Sequence, residues 1–308
     1  MKWYSFIQKY FGAFFAAGIL LGLFLPRVFL PISDYVLLIL GSVMTLTFLT
    51  IDYKAILNNL KKAHVIGITI LILKVILPFI FYTIAKPLGE TVSIGILLLT
   101  LTPIATVAPT LTKLMKGDTE FIIILQTLTT LLSPIYMPAL LLFFAGTKIE
   151  IDTMQMVKTL IFLILIPFCL SLLIRPLFKV TIQKTQKYFG AVTLLLITIL
   201  LTGLLAGASA PIMKNPIKAF PLALIAFGLG IILPLTGWFV FFFFDKKKRI
   251  GLSISTLYMN IGLTAVIAYG FFDADVILFI LLYELPANLI PSVLEKIYPR
   301  LSKKEVSH

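Results

Sequence analysis

Ten stretches of this chain carry one charged residue or none, and each approaches the length that crosses a bilayer: 10–26, 35–51, 64–85, 91–112, 121–147, 159–174, 188–213, 219–244, 250–272 and 276–294. A helical crossing needs about 20 apolar residues, with a range near 17–25, so the sixth stretch must borrow a few flanking residues. Little chain remains between them, and no part of it is large enough to fold as a separate soluble domain. With 13% charged and 60% apolar residues, the chain holds roughly half the charge of a soluble protein, which runs near 25%. A soluble domain, a disordered chain and a disulfide scaffold are excluded together. One cysteine, Cys169, and two histidines, His64 and His308, leave no disulfide framework, thiolate cluster or histidine zinc site. The reading is an all-α integral membrane protein.

The net charge of +13 would suit a nucleic-acid binder only if the charge were clustered on a folded surface. Instead it follows topology. With the N-terminus in the cytoplasm, nineteen of the 26 basic residues fall on the cytoplasmic side and six on the other, with Lys74 inside a span, as the positive-inside rule requires. The run Asp245–Arg249 is then a stop signal. The sequence therefore predicts a multi-pass protein of the cell (inner) membrane with both termini cytoplasmic, surrounded by lipid and with no nucleic-acid partner. Nothing in it calls for an oligomer. The basic, apolar N-terminus resembles a signal peptide, but Pro26-Arg27 offers no small-residue cleavage site, and the expectation is that it is retained.

An internal repeat organises the spans. Val75-Ile-Leu-Pro78 in the third is echoed by Ile231-Ile-Leu-Pro234 in the eighth, and Leu132-Ser-Pro134 in the fifth by Leu289-Ile-Pro291 in the tenth, at offsets of 156 and 157 residues. The turn Gly117-Asp118 falls on Ala274-Asp275 in the same register. Two halves of five spans each follow, about 1–147 and 155–298, and an odd number of spans inverts the second half. Inverted repeats of this kind mark secondary transporter folds, whose sites lie where helices break at mid-membrane. The fourth span carries Thr102-Pro103-Ile-Ala-Thr106-Val-Ala-Pro109-Thr110-Leu-Thr112, two prolines that interrupt a helix. The ninth carries Ser253-Ile-Ser255-Thr256-Leu-Tyr258-Met-Asn260-Ile-Gly262-Leu-Thr264, where Asn260 and Gly262 favour an opening. An ordinary kink is the alternative for both.

Two ionisable side chains lie at the centre of spans, Lys74 in the third and Glu284 in the tenth. The lysine stem reaches about 6 Å and the interface is about 15 Å away, so snorkelling does not rescue it. Such a charge costs at least ~2.5–3.5 kcal/mol and is normally functional. The expectation is that the two pair or share a polar cavity and act in ion coupling or charge relay; a structural ion pair is the alternative. Gln126, Thr130 and Ser133 form one helical stripe in the fifth span, and Glu284, Asn288 and Pro291 another in the tenth. The aromatic run Phe241–Phe244 reads as lipid-facing or interfacial.

The segment Thr102-Pro-Ile-Ala-Thr-Val-Ala-Pro-Thr-Leu-Thr-Lys-Leu-Met-Lys-Gly-Asp118, followed by Thr127-Leu-Thr-Thr-Leu-Leu-Ser-Pro134, resembles the bile acid:sodium symporter family. The stretch from Gly251 to Gly262 looks like that family's ninth span. The resemblance implies ten transmembrane helices as two inverted five-helix repeats with broken fourth and ninth helices. It further implies a core of spans 64–147 and 219–294 and a panel of spans 10–51 and 159–213, within one transporter domain over 1–308. It also implies sodium-coupled movement of an organic anion such as a bile acid, pantoate or a keto acid. The sodium ligands, however, do not carry over. The family's Ser-Asn pair falls on Ala108 and Pro109, its fifth-span hydroxyls on Ile122 and Gln126, its ninth-span glutamate on Ser255 and its glutamine on Met259. Asn260 and Gly262 are retained. The third-span glutamine falls on Leu73, beside Lys74. A hard cation wants several oxygen ligands; most are gone and an ammonium stands nearby.

The sequence therefore reads as a secondary transporter moving a small organic anion by alternating access, proton-coupled or uncoupled. Lys74 and Glu284 handle charge, and Thr106, Pro109, Thr110, Thr112, Gln126, Thr130, Ser255, Thr256, Asn260 and Asn288 line the broken-helix site. No catalytic constellation, resident metal or cofactor is expected; sodium is unsupported by the motif residues. A sodium symporter with a rearranged ion site, a channel or receptor, and a membrane-embedded enzyme are the alternatives.

Overall fold

The computed structural model describes residues 3–51, 63–145, 152–214 and 216–303. Of the basic residues counted above, Lys2, Lys54, Lys61, Lys62, Lys148 and Lys304 lie outside the described residues, as does His308. Sixteen α-helical segments are described: α1 Trp3–Lys9, α2 Phe11–Phe24, α3 Pro26–Phe29, α4 Val36–Thr50, α5 Ala63–Leu71, α6 Leu77–Ala85, α7 Glu90–Leu101, α8 Ala108–Leu114, α9 Thr119–Ala145, α10 Thr153–Leu160, α11 Ile166–Leu177, α12 Lys179–Lys214, α13 Ala219–Val240, α14 Lys246–Leu257, α15 Ile261–Phe271 and α16 Ala274–Lys303. Among the described residues the β-type pairing is a single isolated antiparallel bridge, Ile104 with Met259.

Among the described residues, seven helical runs are long and apolar enough to cross a membrane: Pro26–Thr50, Ala63–Leu88, Thr119–Ala145, Thr153–Leu177, Lys179–Ala210, Ala219–Phe239 and Ala274–Pro299. Three shorter apolar helices accompany them, Ala13–Phe24, Glu90–Leu101 and Ile261–Phe271. The stretches 91–112 and 250–272 thus do not form single continuous spans; each is interrupted.

The helices begin and bend where local chemistry dictates. Asp152, Asp245 and Asn260 each accept a hydrogen bond from the backbone N–H three residues on, at Gln155, Lys248 and Leu263, and Asp118 does the same for Phe121. A side-chain oxygen at the first turn satisfies a donor that the helix cannot. Two π-helical turns, Ile72–Ile76 and Ile161–Leu165, each stand just before a proline, Pro78 and Pro167. Proline cannot donate to the carbonyl four residues back. In each turn a backbone N–H reaches five residues back instead, Leu77 to Ile72 and Ile166 to Ile161, so the helix continues past the proline with a bulge.

The long helix α12 packs along α2 and α4, and α11 packs on α4; elsewhere α13 packs on α14 and α16, and α6 on α7. Apolar side chains gain little from leaving lipid for protein, so close backbone approach carries helix association in a membrane. Gly22 is the sharpest case: a Cβ there would stand 2.4 Å from the Thr202 carbonyl oxygen and 3.0 Å from Leu205 Cβ. Many large apolar side chains face outward, Phe143 at 78% and Leu177 at 76% exposure among them, which suits a lipid-facing surface. The Phe241–Phe244 run, expected to be lipid-facing or interfacial, divides: Phe242 and Phe243 are exposed, but Phe241 is fully buried and stacks on Phe244.

Candidate functional site

The two interrupted helices cross at their breaks. Pro103 has no N–H and forces the residue before it out of the helical region; Thr102 accordingly sits extended, at φ −59° and ψ 145°. Pro109 follows in the first turn of α8, where a proline costs least. The second break has no proline. There Tyr258 is extended and Asn260 restarts the helix by capping α15.

Breaking a helix at mid-membrane orphans backbone groups that lipid cannot satisfy. The crossing resolves this by letting the breaks bond to each other. The Ala105 N–H donates to the Tyr258 carbonyl at 2.9 Å, and the Asn260 N–H to the Pro103 carbonyl at 2.9 Å. The Thr264 hydroxyl meets the Thr102 hydroxyl at 2.8 Å, and Tyr283 donates to the Leu257 carbonyl at 2.7 Å. From α9, the Thr129 hydroxyl accepts from the Ile104 N–H at 3.4 Å.

Lys74 completes the first break. It projects from the π-helical turn Ile72–Ile76, is only 3% exposed, and donates to the Thr100 carbonyl at 3.1 Å and to the Thr102 carbonyl. These carbonyls end α7, where the interruption removes their usual partners and where the helix dipole is negative. A cation is what such a terminus favours, and here the cation is a side chain.

Glu284 lies near the second break, 8% exposed, with its Oε2 accepting from Asn288 Nδ2 at 2.9 Å. It does not pair with Lys74: neither residue takes part in an ion pair among the described residues. Of the two arrangements expected, a pair or a shared polar cavity, the direct pair is absent among the described residues. Lys74 bonds to the first break, whereas Glu284 is hydrogen-bonded within its own helix, by Asn288.

The other predicted residues divide. Thr112, Thr130, Ser133 and Ser255 are buried, but their hydroxyls turn back to carbonyls of their own helices, at 2.7–2.8 Å. Thr256 bridges α14 to α13 through the Leu233 carbonyl at 2.8 Å, a packing contact against Gly237. Thr106 is half-buried in the first break, Pro109 is buried, and Thr110 on α8 is exposed. Asn260 spends its oxygen on the α15 cap and turns its nitrogen towards Met44 Sδ at 3.9 Å. Gln126 is 3% exposed and its Nε2 has no partner. Sequence reasoning missed Thr129, Tyr283 and the carbonyls of Thr100 and Thr102; the only sequence sign of the carbonyl pair was the Thr102-Pro103 step.

The crossing offers no group of three or more His, Cys, Asp or Glu suited to a metal among the described residues. A separate cavity of about 610 Å³ lies at the other end of α7 and α15, lined by Glu90, Thr91, Asp152, Gln155, Tyr269 and Asp273 among others.

Apolar helices long enough to cross a membrane, together with two interrupted ones crossed at a polar centre, mark a multi-pass membrane protein. The sequence profile of the Sodium Bile acid symporter family matches residues 36–215, more than half of the chain, and the chain belongs to that family. A protein of Bacillus subtilis (strain 168) named as an uncharacterized sodium-dependent transporter, YocS, is 22% identical over 300 residues, covering 96% of this chain and 89% of its own length. The protein is accordingly a multi-pass secondary transporter of a small-molecule substrate, embedded in the bilayer, and not an enzyme.

Proposed function

We propose that this protein moves a small organic anion across the cell membrane by alternating access, without sodium. The observation that carries the reading is the Lys74 ammonium seated on the Thr100 and Thr102 carbonyls. In this reading a covalently held cation occupies the position a mobile one would need. It cannot leave with the substrate, so it supplies positive charge for an anion without supplying ion coupling. Bile acids, pantoate and keto acids are the substrate classes, and Gln126, with an unmatched amide donor, is suited to an acceptor such as a carboxylate. The remaining predicted site residues act as the frame of that site rather than as ligands.

The ten-span arrangement is part of the proposal. The three short apolar helices supplement the seven long ones, giving two inverted halves, about 1–147 and 155–298. Helices from 64–147 and 219–294 form a core that moves against a panel of 10–51 and 159–213, in keeping with α12 packing on α2 and α4. Both termini face the cytoplasm. The basic ends of α8 and α14 support this sidedness, since the Asp118 N–H bonds to the Lys247 carbonyl at 2.9 Å and Lys248 reaches Asp118 at 3.6 Å. A monomer suffices for the mechanism.

One observation favours a second reading: the Bacillus subtilis relative is named as sodium-dependent. On that reading this chain would be a sodium symporter with a rearranged ion site. Counterflow in proteoliposomes separates carrier from channel or receptor, because only a carrier exchanges labelled for unlabelled substrate, and repeating it in sodium-free buffer separates the two coupling modes.

A further inference from the structure

Lys74 is bonded at both of its break carbonyls, those of Thr100 and Thr102. Glu284 has no comparable set of partners. Its Oε2 receives one amide N–H, from Asn288, whose nitrogen also binds the Glu284 backbone carbonyl at 2.8 Å. Among the described residues no second donor reaches the carboxyl group, and Oε1 is not among the fully sealed polar atoms that lack partners, so it keeps a small accessible face. An ionised carboxylate accepts about four hydrogen bonds and, when buried, requires a cation or a full set of donors.

The helices packed against α16 supply neither. The phenols of Tyr258, in the second break, and of Tyr283, on α16 itself, lie near Glu284, but Tyr283 donates its O–H to the Leu257 carbonyl. On α13 the approach is apolar: Gly230 admits Pro286, whose Cβ would stand 2.5 Å from a Cβ placed on that glycine. The charged residues of α7, α12 and α14 sit at helix ends, at Glu90, at Lys179, Lys184, Lys187 and Lys214, and at Lys246–Arg249, and α15 has none.

We propose that Glu284 is the proton-binding site of this transporter and that the coupled ion is a proton carried there. The inference rests on the anion-transport reading above. With Glu284 in its acid form and Lys74 as a fixed cation, the centre of the protein has one net positive charge and attracts an anion. When Glu284 releases its proton, the centre becomes neutral overall and the new carboxylate repels the anion. Proton and anion therefore bind together and leave together: one proton is taken up at Glu284 on the loading side and released on the other, and the group is reprotonated at the start of the next cycle. Asn288 holds the carboxyl in place through the change.

The test uses the full-length protein in sodium-free proteoliposomes with labelled pyruvate, pantoate and taurocholate as probes, under an inside-alkaline gradient of one pH unit. For a one-to-one electroneutral symport, wild-type protein should concentrate the probe it transports towards tenfold, because one pH unit is tenfold in proton activity. Glu284→Gln should concentrate it less than twofold, and whatever exchange it retains should be flat with pH. Wild-type uptake that ignores the gradient overturns the proton site without requiring any variant. A folded Glu284→Gln protein that still concentrates the probe overturns the assignment to Glu284. Absence of uptake and exchange of all three probes by wild-type protein overturns the anion reading itself, and this proposal with it.

Discussion

Replacing Lys74 by methionine separates a functional cation from a structural one, because the two roles move different observables. The substitution removes two hydrogen bonds from Nζ to the Thr100 and Thr102 carbonyls. Hydrogen bonds from charged groups contribute about 1.5–3 kcal/mol each, so the gross loss is about 3–6 kcal/mol. Against this, an ammonium 3% exposed bears a desolvation penalty of several kcal/mol that the thioether does not. The terms offset to within about 2 kcal/mol, which for a chain of this size is a change in Tm of less than about 5 °C. Anion binding has no such compensation. A unit charge about 8 Å from a bound carboxylate at an effective dielectric near 20 contributes about 2 kcal/mol, or roughly thirtyfold in affinity. Fluorescence-monitored melting in detergent and counterflow kinetics in proteoliposomes measure the two. The expected result is a nearly unchanged Tm with a KM raised about thirtyfold, and Lys74→Arg retaining part of the affinity. An unchanged KM in Lys74→Met would refute the reasoning, and a collapsed Tm would assign the lysine to structure.

Gly22→Leu should be among the most damaging substitutions outside the crossing. Its Cβ would stand 2.4 Å from a backbone oxygen of α12 that cannot rotate away, so α2 must shift, and a loss of folded yield in size-exclusion chromatography is expected where Gly41→Leu, with nothing within 4 Å, is tolerated. Asp245 lies outside the spans. Burial raises its pKa, but the side-chain and backbone hydrogen bonds from Lys248, together with its charge, outweigh burial and hold it below the ordinary aspartate value. Its contribution is therefore present above the unfolded carboxyl's pKa and is lost as pH falls through the lower folded value; acid melts should show Asp245→Asn losing less stability than wild type in that range.

The sequence made the elements legible wherever a local rule decided them. The Thr102-Pro103 step, the Pro109 first turn and the Asn260 cap lie where the chain is interrupted, because proline and asparagine act on the backbone beside them. Lys74 and Glu284 stood out because a charge among apolar neighbours is costly wherever the helix goes. The partners of those charges were not legible. Lys74 bonds to carbonyls 26 and 28 residues away, and every residue has a carbonyl, so no residue type announces the acceptor. The same holds for the polar residues Thr130, Ser133 and Ser255: their residue types are visible in sequence, but not that each hydroxyl donates to its own preceding turn. Thr110, likewise, is one residue from the buried Pro109 but exposed, a distinction that depends on how a seven-residue helix is rotated against its neighbours.

On the proposed reading, a tethered ammonium in place of a mobile cation makes the carrier indifferent to sodium. The most direct test is counterflow of labelled anion in proteoliposomes prepared in choline buffer and again in sodium buffer at the same pH. Equal initial rates in the two buffers are expected. Exchange that appears only with sodium, and rises with sodium concentration to saturation, would contradict the role given to Lys74.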